Sequence, residues 1–161
     1  MKAAPIGSRS ARGLRIAIVR SLYNPAITDG LLRGARAALA ELGADPRRVS
    51  VYDVPGAFEL PVAVQAAARS RRFDAVIALG AVIRGETDHY EHITREAASG
   101  LAAVTRETGV PVGFGVLTVR RASHGRARSL ANHDNKGREA ARAAVFTLHT
   151  LRSLQGRGRR A

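Results

Sequence analysis

The sequence contains no cysteine, and three tyrosines and four phenylalanines are its only aromatic residues in 161 positions. Without cysteine there is no disulfide, no thiolate nucleophile and no cysteine-ligated zinc. With aromatics at 4%, the core has to be assembled from Ala, Val, Leu and Ile. No apolar run approaches the ~18 residues that a membrane span needs. The first thirteen residues are basic but carry no apolar segment of the kind a secretory signal requires. These absences lead us to expect a cytoplasmic protein with no membrane partner. The length suits one domain rather than two.

Acidic residues are also scarce, 13 against 26 basic ones, for a formal charge of +13. Such a balance raises nucleic acid as a partner. The distribution argues against it. Arginines are spread along the chain, clustering only at Arg9 with Arg12 and at Arg157, Arg159 and Arg160. Stacking residues are few and no RNA-binding signature is present. Non-specific adhesion at low salt is the milder expectation. Lys2 and Lys136 are the only lysines, so an internal lysine at 136 hints at a need for a compact ammonium.

Residues 1–13 read as a flexible basic arm and 155–161 as a flexible basic tail, flanking one domain over 14–154. Leu14 to Val19 is a short apolar run that predicts a buried strand. Asn24-Pro25 predicts a helix start, with Asn24 as N-cap and Pro25 at the first helical position. Ile27, Leu31, Leu32, Ala35, Ala38, Leu39 and Leu42 follow at helical spacing until Gly43. A second strand is expected over Val49–Val54, and a helix from Pro61 to about Arg71. The third strand is expected over Ala75–Leu79, broken by Gly80. Then come a helix over about 91–108, a fourth strand over Val110–Thr118 and a weakly patterned helix over 120–130. A last helix is capped by Asn135. Strands that are apolar on both faces and alternate with helices imply a four-stranded parallel sheet between helix layers, a three-layer α/β sandwich. Such sheets bind ligands beyond the carboxyl ends of their strands, where the strand order reverses.

Those ends are distinctive. Tyr23-Asn24 follows the first strand and VPGAFELP (54–61) closes the second. ALGAVIRGETDH (78–89) runs out of the third, and Phe114 lies within the fourth. Three of the few aromatics, Tyr23, Phe58 and Phe114, therefore fall where a ligand would sit, a pattern suited to stacking a flat ring. His89 and His92, with His124 or His133, do not make a convincing metal set.

On Leu22-Tyr23-Asn24 with Ile27-Thr28, VPGAFELP, ALGAVIRGETDH, FGVLT (114–118) and Asn135-Lys136-Gly137, the chain resembles the 6,7-dimethyl-8-ribityllumazine synthases over roughly residues 14–154. The resemblance implies a flavodoxin-like fold and the penultimate step of riboflavin biosynthesis. In that step 5-amino-6-(D-ribitylamino)uracil condenses with 3,4-dihydroxy-2-butanone 4-phosphate, releasing phosphate and water, with no cofactor and no metal. It also implies roles. Tyr23 is the platform for the pyrimidine, and Ala57, Phe58 and Glu59 meet the ribityl chain and uracil. Ala81, Val82 and Ile83 offer backbone groups to the ring edge. Glu86 and Thr87, with Arg128, hold the phosphate, helped by Gly85. His89 shuttles protons, since a histidine can take and return them near neutral pH. Lys136 lies near the pyrimidine. Phe114 and Arg128 reach the site from a neighbouring subunit, so the resemblance implies a homopentamer with sites at its interfaces.

Two features depart from that family. Ser123-His124-Gly125 stands where Glu-Gln-Ala is usual. The turn before Asn135 lacks the Gly-Thr-Lys type found in shell-forming members, which favours a free pentamer or a stacked pair. A non-catalytic oligomer of the same fold that binds flavin or lumazine is the alternative reading.

Overall fold

The computed structural model describes residues 7–156; the outermost parts of the expected arm and tail, 1–6 and 157–161, lie outside the described residues. Four strands, β1 (Ile16–Ser21), β2 (Val49–Val54), β3 (Ala75–Ile83) and β4 (Val112–Val119), alternate with five helices. The helices are α1 (Pro25–Glu41), α2 (Leu60–Arg69), α3 (His89–Thr108), the short α4 (Ala122–Ala127) and α5 (Lys136–Leu154). All strand pairs are parallel and the sheet order is β2-β1-β3-β4.

The alternation of side chains along the central strands divides the core in two. Ile16, Ile18, Ile77 and Leu79 face α1 and α5, whereas Ala17, Val19, Val76 and Ala78 face α2 and α3. This is the three-layer, flavodoxin-like sandwich that the apolar strands imply. Phe73 is the one aromatic among the buried hydrophobic residues described, so the core is aliphatic, as the composition requires. The chain passes from β1 to β2 on one side and returns across β1 to β3, so the order reverses between β1 and β3. A crevice therefore opens above the carboxyl ends of these two strands.

α1 and α5 cross closely because their contact is made of small residues. A Cβ on Gly34 would lie 2.0 Å from the Asn135 Oδ1, and one on Gly137 would collide with the Leu31 carbonyl. Asn135 is fully buried yet fully satisfied. Its amide donates to the carbonyls of Gly30 (3.0 Å) and Leu130 (2.9 Å), and its Oδ1 accepts from the N–H groups of Gly137 and Arg138. The cap expected at Asn135 is present and also ties α5 to α1. At the opposite end, Asp74 joins β3 to Arg15 before β1 and to Arg152 on α5. Residues 9–11 lie along α5 and the end of α1. Ala11 is buried with its N–H on the Leu42 carbonyl, Arg9 stacks over Phe146, and Ser10 meets His149.

Two expectations change. Gly80 does not break the third strand; β3 continues to Ile83 because Gly80–Ile83 pair with Val116–Val119 of β4. Gly80 serves close packing instead, since a Cβ there would stand 3.1 Å from Leu60 and 3.2 Å from the Ser21 hydroxyl. Asn24 flanks α1, but its side chain makes no cap hydrogen bond.

Candidate active site

β3 outruns β1. Its last β1 partner is Leu79, opposite Arg20, so beyond that point one edge of β3 is bonded to β4 and the other is open. Backbone groups alternate sides along a strand. The Ala81 carbonyl points to the open side, where Asn24 meets it, and the N–H and C=O of Ile83 point the same way. That open edge forms one wall of a cleft of about 550 Å³, a size that suits a small organic substrate.

The other walls come from the ends of β1 and β2 and the start of α3. Tyr23 follows β1 and is 73% exposed, and Phe58 in the turn after β2 is 58% exposed. Phe73 is buried, and Tyr90 and Phe146 are half-buried. Two of the most exposed aromatics thus flank one concavity. The turn Ala57–Glu59 precedes α2, and Glu59 Oε2 accepts the Gly56 N–H at 2.9 Å, which fixes the carboxylate at the cleft wall. Its Oε1 has no hydrogen-bond partner among the described residues. His89, the first residue of α3, also lines the cleft. Its N–H meets the Thr87 hydroxyl at 3.4 Å, and its ring bonds to no described residue. Glu91 faces Arg84 at 4.0 Å.

A separate groove of about 240 Å³ runs along β4, lined by Phe114–Val119, Arg128, Lys136 and Glu139. Phe114 is 50% exposed there. The Lys136 N–H donates to the Arg128 carbonyl at 2.9 Å, holding the two cationic residues side by side. The Lys136 ammonium pairs with Glu139, and the Arg128 guanidinium donates to the His124 carbonyl at 3.0 Å.

The site residues read from the sequence therefore fall into two groups. Tyr23, Ala57, Phe58, Glu59, Ala81, Val82, Ile83 and His89 share the first cleft, while Phe114, Arg128 and Lys136 share the second groove. Neither is lined by Glu86 or Thr87, which stand on the exposed loop between β3 and α3. Sequence reasoning gave no site role to Asn24, Pro55, Gly56 and Ile93 in the first cleft, nor to residues 115–119 and Glu139 in the second. Asn24 was within reach of the strand-end argument, whereas Glu139 carries no signal beyond its place one turn into α5. No three His, Asp or Glu side chains converge as metal ligands, and no helix is long and apolar enough to cross a membrane, among the described residues.

Comparison with known proteins gives one family. Residues 13–152 match the sequence profile described as 6,7-dimethyl-8-ribityllumazine synthase. A protein of Caulobacter vibrioides named 6,7-dimethyl-8-ribityllumazine synthase 1 is 48% identical over 141 residues, covering 88% of this chain and 92% of its own. The 6,7-dimethyl-8-ribityllumazine synthase of Syntrophus aciditrophicus is 43% identical over 148 residues, covering 92% and 96%. That of Nitratidesulfovibrio vulgaris is 40% identical over 148 residues, covering 92% and 95%.

Proposed function

This chain belongs to the 6,7-dimethyl-8-ribityllumazine synthase family, and from that premise we propose that it condenses 5-amino-6-(D-ribitylamino)uracil with 3,4-dihydroxy-2-butanone 4-phosphate. The products are 6,7-dimethyl-8-ribityllumazine, inorganic phosphate and two molecules of water, and the equation balances without an oxidant or reductant. The observation that carries this reading is one cleft holding an exposed tyrosine ring, an open strand edge, a fixed carboxylate and a histidine.

In this reading the pyrimidine stacks on Tyr23, and its polar edge pairs with the open backbone of β3. Glu59 accepts from the ribityl hydroxyls. The 5-amino group attacks the ketone to form an imine with loss of water, elimination of phosphate leaves an enol that tautomerises to a ketone, and the ribitylamino nitrogen attacks that carbonyl to close the ring with loss of a second water. His89 takes and returns the protons of these steps. Much of the acceleration comes from holding two reactants in register.

Phosphate falls to Arg128 together with Glu86-Thr87, and Gly85 supports this: a Cβ there would have no atom of the described residues within 4 Å, which leaves room for an anion beside the backbone. Arg128, Phe114 and Lys136 complete the cleft of a neighbouring copy. What supports this arrangement is that the chain's own two grooves share no lining residue. A closed ring of copies, a homopentamer, then carries one site per interface. A cytoplasmic location belongs to the same reading.

The test is direct. Purified protein with both substrates should form the fluorescent lumazine well above the uncatalysed condensation. No enhancement from a folded oligomer that nevertheless binds riboflavin would overturn catalysis in favour of a flavin-binding role.

A further inference from the structure

Asn24 is one of two non-glycine residues with positive φ among those described, at φ 59° and ψ 57°. Left-handed backbone is disfavoured for L-residues, asparagine tolerating it best among them. The next residue is Pro25, and a residue before proline is biased toward extended backbone. A residue kept in this state must be held by its surroundings. Two sets of bonds hold Asn24. Its carbonyl accepts from the N–H groups of Ile27 (2.9 Å) and Thr28 (3.1 Å) at the start of α1. Its side-chain Nδ2 crosses to β3 and donates to the Ala81 carbonyl at 2.9 Å.

The neighbours are tied as well. The Leu22 N–H donates to the Val54 carbonyl at 2.9 Å and the Tyr23 N–H to the Pro55 carbonyl at 3.1 Å. Tyr23 is therefore anchored to the end of β2 by its own backbone and to the open edge of β3 through Asn24. That edge begins at the carbonyl Asn24 holds and presents Ile83 one register step further. The amide thus sets the separation between the aromatic face and the backbone that reads the ring edge.

We propose that Asn24 is a positioning residue for the pyrimidine substrate: its left-handed backbone and its amide clamp on Ala81 hold the Tyr23 platform in register with the open edge of β3. This rests on the proposed condensation. It assigns Asn24 no contact with the reacting atoms: the role rests on the bond from its Nδ2 to the Ala81 carbonyl within the protein.

Steady-state kinetics of the intact protein with two variants test it. Asn24→Gly keeps the left-handed backbone accessible and removes the clamp. Asn24→Asp keeps the shape and an acceptor oxygen but loses the donor. Losing one net hydrogen bond from the wall of the site should raise KM for the ribitylaminouracil about five- to tenfold in both variants. KM for the phosphate substrate should stay within about twofold, since the clamp touches nothing on that side. A general distortion of the site would shift both KM values together, a mere loss of folded protein would lower apparent kcat alone, and a direct contact through Oδ1 would be restored by Asp. The proposal is therefore overturned by unchanged KM values in Asn24→Gly, by parallel shifts for both substrates, or by wild-type behaviour of Asn24→Asp. An inactive wild type overturns the reaction itself, whereas an active wild type with an unchanged Asn24→Gly overturns only the role of Asn24.

Discussion

Asn135 shows how much a single side chain can hold. Removing it leaves the N–H groups of Gly137 and Arg138 at the start of α5 without their acceptor and cuts the tie to the Gly30 carbonyl of α1, so Asn135→Ala should cost about 2–4 kcal/mol of stability. A denaturant titration checks this, and a loss under about 1 kcal/mol would contradict it. His89 and Arg128 predict kinetic effects instead. His89→Ala should lower kcat about ten- to a hundredfold with little change in either KM. Arg128→Ala should raise KM for the phosphate substrate alone, by about tenfold or more, since a guanidinium–phosphate contact is charge-assisted. If Arg128→Ala left both kinetic constants intact, the assignment of the anion site would fail. Tyr23, Phe58 and His89 were legible in the sequence because each lies in or beside a long motif at a strand end. Asn24 was legible as the N-cap position of α1, but not as a clamp on β3. Asn-Pro before a helix has that signature, and only the fold brings its amide to Ala81, 57 residues away.

At the level of elements, the α1–α5 crossing sets local propensity against packing. Glycine inside a helix is about 1 kcal/mol worse than alanine, so Gly34→Ala should stabilise an isolated α1. In the folded protein the new Cβ would stand 2.0 Å from the Asn135 Oδ1, and the variant should melt below wild type. A higher melting temperature would refute the tight crossing. Asp74 gives the matching statement about pH. Burial pushes its carboxyl upward, but hydrogen bonds from the Arg15 side chain and N–H, with the charges of Arg15 and Arg152, outweigh this and hold it below the usual carboxylate range. The stability it contributes is complete above its unfolded value of about 4 and is lost as pH falls through the lower folded value. Asp74→Asn should therefore melt below wild type at neutral pH, and the gap should shrink in acid; a gap that is constant with pH contradicts this. Most element boundaries were legible from apolar period and capping. The end of β3 was not, because glycine signals a turn in a bare sequence and close packing in a sheet that has β4 beside it.

For the whole molecule, the order β2-β1-β3-β4 is one of the few that apolar parallel strands joined by helical crossovers allow, and it places the cleft at the reversal of strand order. In the proposed ring the charge of +13 is repeated in every copy. One substrate is an anion and the other is not. Added salt should thus raise KM for the phosphate substrate and leave that for the ribitylaminouracil nearly constant; equal shifts for both would contradict an electrostatic contribution to binding. The sequence made the site residues legible and set Phe114 and Arg128 apart only through the resemblance; that Lys136 sits with them depends on how β4, the end of α4 and the start of α5 come together. The claim on which the account turns is that the Tyr23 cleft of one copy and the Arg128 groove of its neighbour form a single active site. Refolding equal amounts of Tyr23→Ala/His89→Ala and Phe114→Ala/Arg128→Ala chains together tests it, with lumazine formation as the readout. Each variant alone should be nearly inactive, and mixed rings should recover about one quarter of wild-type activity, because one interface in four then pairs two intact halves. Mixed rings no more active than either parent would contradict a shared site and return the chemistry to a single chain.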